Sequence, residues 1–250
     1  MTPDFDLSGR VAVVTGASSG IGRAIASAFA ELGARVVGVA RRSEALEAWS
    51  AETEGETASI AGDVSGAVAA QAICSRLSEP FGAPDILVNA AGLNTRQVAD
   101  DVTTEGWNAT MDVNLATPFF LAQGLVGAMK ERGWGRIINI ASLQSERAFP
   151  GGVAYGASKG GIVQLTRAMA EAWSSHGINA NALAPGFFPT ELTAAVFGDA
   201  DRAARNAAQT CIGRNGELQD LIGPAVFLAS PASNYVTGQV LFVDGGFTAK

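Results

Sequence analysis

From Arg10 to Val243 the chain alternates short apolar runs with longer stretches whose apolar residues recur at helical spacing, and few folds accept such a pattern. The first instance is the clearest. Val11, Val13 and Val14 lie in an apolar run from Arg10 to Thr15, and glycines follow at Gly16, Gly20 and Gly22. Ile21, Ala24, Ile25, Ala28, Phe29 and Leu32 then mark one face of a helix, Gly33 stops it, and Val36-Val37-Gly38-Val39 reads as a second strand. A strand–helix–strand unit closes through a right-handed crossover, so the two strands are expected to be parallel.

The alternation continues with a helix near Glu44 to Glu54, a strand Thr57 to Ala61, a helix near Ala67 to Ser78 and a strand Asp85 to Val88. Two long helical stretches follow, split around Met111 to Asn114. Next come a strand Arg136 to Ile140, a helix containing Tyr155 and a strand Ile178 to Leu183. A looser region runs from Pro185 to Gly216, before a helix Leu218 to Leu228 and a strand Val240 to Val243. Seven near-continuous apolar strands joined by helices predict an α/β fold, a Rossmann-type, doubly wound, seven-stranded parallel sheet with helices on both faces. With 48% apolar and 16% charged residues the chain can cover such a sheet. Its length of 250 residues and the lack of a linker-like segment fit one domain, 1–250.

Ligands of doubly wound sheets bind beyond the carboxyl ends of the strands. At that end of the first strand stands Gly16-Ala17-Ser18-Ser19-Gly20-Ile21-Gly22, whose glycine spacing lets a pyrophosphate approach a helix N-terminus closely. At the end of the second strand, where an acidic residue would hold the ribose 2'-hydroxyl of NAD(H), the chain has Ala40, then Arg41 and Arg42. Two guanidinium groups there favour the 2'-phosphate of NADP(H), with NAD(H) the alternative; Ser19 stands where a second phosphate-binding cation could have been. Farther along, Tyr155 and Lys159 are four apart on one helix face. An ammonium beside a phenol favours the phenolate and is expected to lower its pKa, making the phenol a usable acid or base.

These motifs together resemble the short-chain dehydrogenase/reductase family, in its single-domain branch, over essentially the whole chain. The matching residues are Thr15 to Gly22, Asp63-Val64, Asn89-Ala90-Ala91-Gly92, Asn114, Ser142, Tyr155-x-x-x-Lys159 and Pro185-Gly186-x-x-x-Thr190. One departure is small: the family's Asn-Asn-Ala-Gly here has Ala90 in second place. The resemblance implies that Tyr155 is the general acid of ketone reduction and the base of alcohol oxidation, with Lys159 lowering its pKa and gripping the nicotinamide ribose. It implies that Ser142 donates to the substrate oxygen, that Asn114 anchors a water chain to the lysine, and that Asp63 and Val64 lie beside the adenine. Asn89, Ala90 and Gly92 would face the cofactor, and Thr190 with the backbone at Phe188, after Pro185-Gly186, would hold the carboxamide.

For the substrate, a small carbonyl compound or alcohol, specificity is expected in the loops Leu93–Val98 and Leu143–Gly152 and in a lid at about 187–208. Arg96, Gln144 and Arg147 are the candidate contacts, the two arginines suited to a carboxylate or phosphate. Leu93 to Arg96 and Tyr235 to Gly246 look most like gluconate 5-dehydrogenases and 2-deoxygluconate-type dehydrogenases, so a keto sugar acid or polyol is the expected substrate. The 3-oxoacyl-carrier-protein reductases share every catalytic motif and are the alternative. A non-catalytic nucleotide sensor or scaffold is a remote one, because Ser142, Tyr155 and Lys159 are all present.

The net charge of −7 and the absence of any basic run argue against a nucleic-acid partner. Cys74 and Cys211 lack metal-ligand spacing, no metal is expected, and a reducing cytoplasm is the simplest setting. The acidic start Met1-Thr2-Pro3-Asp4-Phe5-Asp6 is unlike a signal peptide, and no apolar run approaches a membrane span. The four tryptophans are expected to serve packing or an interface rather than to stack a substrate, and His176, near a helix C-terminus that favours a cation, to take no part in the chemistry. Family resemblance implies a homotetramer, paired through the long helices bearing Asn114 and Tyr155 and through the last helix and strand.

Overall fold

The structure, a computed structural model, describes residues 4–250; Met1, Thr2 and Pro3, which open the acidic N-terminal stretch, lie outside the described residues. Its strands are β1 (Val11–Thr15), β2 (Arg35–Ala40), β3 (Thr57–Ala61), β4 (Ile86–Asn89), β5 (Gly135–Ile140), β6 (Ile178–Pro185) and β7 (Val240–Val243). All pair in parallel, in the order β3-β2-β1-β4-β5-β6-β7. The chain winds outward from β1 to β3, then returns to the other side of β1 as β4. That reversal leaves a crevice above the carboxyl ends of β1 and β4, and the doubly wound expectation holds.

Alternate residues of each central strand feed opposite cores. Ala12, Val14, Val36, Ile86, Val88 and Ile138 pack on one face with Ile25 and Phe29 of α1 (Gly20–Glu31), Trp49 of α2 (Ser43–Glu52) and Ala225 of α9 (Ile222–Ala229). Val13, Val37, Leu87 and Ile137 pack on the other with Ile73 of α3 (Gly66–Ile73), Leu121 and Met129 of α5 (Thr117–Arg132), and Met169 of α6 (Val153–Trp173). Both sheet faces are thus dry, as the unbroken apolar runs require. Trp49 is fully buried and Trp173 stacks on Phe119 at 6.4 Å, so these two tryptophans do pack.

Three stretches depart from expectation. The helix expected over Ala67 to Ser78 stops at Ile73 and resumes only as a single 3-10 turn, Arg76–Ser78. The helix expected from Leu218 opens as a 3-10 turn through Leu221, and α9 proper begins at Ile222; Pro224, lacking an N–H, fits only a first turn. The looser region contains α7 (Ala194–Phe197) and α8 (Ala200–Gln209). Helix α8 has no buried residue: its regular face, Ala200, Ala203, Ala204, Ala207 and Ala208, offers only methyl groups, and its start is marked by Asp199, whose side chain accepts from the Arg202 N–H as an N-cap. Between α4 (Thr104–Met111) and α5, where the sequence reading splits two helices, Asp112–Ala116 forms one π-helical turn that carries Asn114.

Candidate active site

A cleft of about 1080 Å³ lies across the carboxyl ends of the strands, lined at one end by the glycine loop and at the other by Ser142, Tyr155 and Lys159. The glycine end is shaped by backbone. Gly16 has φ +73°, and a Cβ there would lie 3.1 Å from the Ala90 and Ala91 backbone; a Cβ on Gly22 would lie 2.4 Å from the Gly16 carbonyl oxygen. Only glycine lets β1, the loop after β4 and α1 approach this closely. Thr15 fixes the second loop by accepting from the Ala90 and Ala91 N–H groups, both at 3.0 Å. Helix α1 begins at Gly20 with no side-chain cap from Ser19, so its first N–H groups can take an anion. Ser18, Ser19, Ile21, Arg41, Arg42, Asp63 and Val64 also line this end. Arg42 donates to Ser19 at 2.9 Å and Ser18 at 3.3 Å, and on its other side pairs with Glu191 at 2.9 Å. The Asp63 carboxyl is held low first by the Ser65 hydroxyl, partly against its own desolvation, with Arg41 adding to the lowering.

At the reacting end β5 delivers Ser142 and α6 delivers Tyr155 and Lys159. Tyr155 is 9% and Lys159 4% exposed. Lys159 Nζ donates to the Ile140 carbonyl at 2.6 Å and sits 5.6 Å from the centre of the Tyr155 ring. Burial lowers the ammonium from its usual 10.5 to about 8. Burial likewise raises the Tyr155 phenol, against which the Ser142 hydroxyl and then the Arg96 guanidinium act. The lowering expected from Lys159 is not among these causes: both groups share one dry pocket, and desolvation favours the neutral form of each.

Pro185, Gly186, Phe188 and Thr190 line the cleft from the end of β6, and the Thr190 methyl lies where a Cβ on Gly20 would come within 3.3 Å, so this segment crosses to the glycine loop. Ala90, Gly92, Arg96 and Gln144 line it too. Arg96 has φ +53°, in the left-handed region, and its guanidinium donates to the Leu192 carbonyl. The Gln144 Oε1 atom is buried without a partner.

Three expected site residues do not reach the cleft. Asn89 is buried between strands, its amide donating to Asn139 at 2.9 Å and to Pro118 at 3.5 Å, because its side chain points into the core beneath β4. Asn114 exchanges two 2.8 Å hydrogen bonds with the Leu93 backbone and donates to Ser158 at 3.0 Å, so its amide is spent clamping the loop after β4 to α6. Arg147 points outward and donates to the Lys250 carbonyl at 3.3 Å. Conversely Phe149, Phe187, Glu191, Arg202 and Asn206 line the cleft without having been expected. The last three lie in the polar segment 187–208, where only the charged and polar side chains of Glu191, Arg202 and Asn206 hint at a facing surface.

A family model described as enoyl-(acyl carrier protein) reductase matches residues 16–248. The gluconate 5-dehydrogenase of Gluconobacter oxydans (strain 621H) is 42% identical over 99% of this chain and 98% of its own. A 3-oxoacyl-[acyl-carrier-protein] reductase of Vibrio cholerae is 36% identical over 97% of this chain and 98% of its own. The crystal structure of a gluconate 5-dehydrogenase from Burkholderia cenocepacia J2315, in complex with NADP and tartrate, superimposes with a TM-score of 0.91 at 41% identity over 98% of each chain. With this cleft, this sheet order and likeness over nearly its full length, the chain belongs to the short-chain dehydrogenase/reductase family.

Proposed function

We propose that the chain is an NADP(H)-dependent oxidoreductase that interconverts a ketone and a secondary alcohol, on a sugar acid or polyol. The observation that carries this is the meeting of Ser142, Tyr155 and Lys159 at one end of a cleft whose other end offers a helix N-terminus and two arginines. The residues fit the dinucleotide: a Gly22 side chain would fill the cradle, Ala40 leaves no carboxylate against a 2'-phosphate, and Arg41 and Arg42 neutralise one. When bound, the nicotinamide supplies or accepts the hydride. Tyr155, a phenol protonated at neutral pH and held further toward that form by burial, gives its proton to the substrate oxygen in reduction and as phenolate takes one in oxidation. Ser142 donates to that oxygen as charge grows on it. Lys159 favours the phenolate once the proton has left and would hold the ribose of the bound dinucleotide.

The segment 187–208 is read as a lid on a single domain, 1–250. Arg96, close enough to Tyr155 to act on its phenol, and Arg202, elsewhere on the cleft wall, make no ion pair among the described residues and suit a substrate carboxylate. This favours a sugar acid over an acyl thioester, the second reading carried by the acyl-carrier-protein reductase relative. The proposed assembly is a homotetramer; fully exposed Tyr235 and the open β7 edge with Leu241 support it, and sedimentation velocity measures it. The proposed cytoplasmic setting is supported by two free cysteines, and cell fractionation tests it. No helix among the described residues is long and apolar enough to cross a membrane.

Steady-state assays with D-gluconate, polyols and a 3-oxoacyl thioester, each with NADP(H) and NAD(H), test the function. A sugar acid is expected to be the best substrate and NADP(H) to be preferred by about tenfold or more. Tyr155→Phe should lower kcat by about 10²- to 10⁴-fold with NADPH binding intact. A Tyr155→Phe enzyme with normal turnover would sink the mechanism, and an equal preference for NAD(H) the cofactor assignment.

A further inference from the structure

We propose that the segment Gly245–Lys250, following β7, is a positioning element that holds the substrate wall of the cleft through Phe247 and Lys250. Its kinetic consequence rests on the lid reading above; its packing does not. Phe149, from the loop after β5, and Phe187, at the start of the lid, both line the cleft. Phe247 does not. It lies behind them, 3% exposed, with its ring centre 6.1 Å from Phe149 and 5.7 Å from Phe187, which are themselves 5.9 Å apart. The three rings form one cluster, and Phe247 is its anchored member.

Lys250 works at the far end of the lid. Its Nζ donates to the carbonyls of Thr210 at 2.9 Å and Ala208 at 3.3 Å, which close α8, where unpaired carbonyls and the helix dipole favour a cation. Its own carbonyl accepts from Arg147 in the loop that carries Gln144 and Phe149. At the start of the segment, the Gly245 carbonyl accepts from the Cys211 and Ile212 N–H groups at 2.7 and 3.2 Å. One short segment thus joins the loop after β5, the root of the lid and the end of the lid helix, while lending no atom to the cleft itself. Arg147, surplus as a substrate contact, finds its role here as a strut.

Hydrogen exchange read by mass spectrometry, on Lys250→Ala and Phe247→Ala without substrate, tests the packing. Peptides over 194–210 should exchange about threefold or more faster in both variants while those of α6 keep the parental rate. With D-gluconate and NADP+, the KM for gluconate should rise about fivefold with kcat within about twofold and the KM for NADP+ unchanged, and Phe247→Leu should recover most of the loss. Parental exchange over 194–210 in both variants overturns the proposal, as does a KM for NADP+ that rises in step. Should Phe247→Ala loosen α6 as well, Lys250→Ala, an exposed tip, decides alone. If no sugar acid is turned over, the functional reading of the site fails, and the exchange rates still decide this one.

Discussion

The two ends of the cleft are built by opposite means. At the nucleotide end the shape is made by backbone: β1, the glycine loop and α1 are consecutive in sequence, and the close contacts are Gly16 against Ala90 and Gly22 against Gly16. Among the described residues no ionisable group is buried there; Arg42 and Glu191 are about half exposed or more. At the reacting end the working groups come from separate elements, β5, α6, the loop after β4 and the lid, and two of them, Tyr155 and Lys159, are buried ionisable side chains pushed toward their neutral forms. A nucleotide can be gripped by N–H groups that every residue possesses, whereas proton transfer needs particular side chains out of water, at a cost in stability.

That contrast can be broken at three points. The largest effect is expected from Gly22→Ala, whose methyl would sit 2.4 Å from a backbone oxygen that cannot swing aside. NADPH affinity, read by fluorescence titration, should fall by about a hundredfold, roughly 3 kcal/mol. Parental affinity would mean that the nucleotide end is not held by backbone contact.

Next is Lys159→Met. The folded-state pKa of about 8 lies below the usual 10.5, so between those values the unfolded chain binds more protons and stability climbs with pH. The penalty of burying the charge is thus fully present below about pH 8 and relieved by about pH 10.5. At pH 7 the variant should gain about 2 kcal/mol, after losing the bond to Ile140, and melt several degrees higher in calorimetry while catalysis is crippled. The gain should vanish as pH rises through that window; a variant less stable than the parent at pH 7 would remove the charge cost from the comparison.

The smallest effect is expected from Glu191→Gln. The Arg42–Glu191 pair spans the nucleotide end from the segment after β6 but is exposed, hence worth under about 1 kcal/mol. Freed from the carboxylate, Arg42 should bind NADPH about two- to fivefold more tightly at low salt, with the advantage shrinking in high salt. Weaker binding would mean that Glu191 orients Arg42 rather than competing for it.

Much of the fold was readable because periodicity speaks for buried elements: the central strands β1, β2 and β4 are apolar on both faces, and α1 shows its stripe plainly. Helix α8 was not readable, since it buries nothing against the core and is fixed by a cap and by the segment Gly245–Lys250. The nucleotide loop was legible for the same reason that it is local. Asn89 and Asn114 carried their types but not their directions; whether an amide faces a ligand or a neighbouring strand depends on pairing partners such as Asn139 and Leu93, which are distant in sequence.

What the sequence by itself determined is the parallel sheet and the glycine cradle, because each is encoded by short-range spacing that physical chemistry allows in few ways; Ser142, Tyr155 and Lys159 were singled out by the resemblance of the whole set of motifs. Only the tertiary structure decided their electrostatics. How dry the pocket is sets both pKa values, and dryness is a property of everything packed around it. Likewise only packing in three dimensions turned Arg147 away from the cleft, brought Arg202 and Asn206 to it, and set Phe247 behind the wall that the substrate meets.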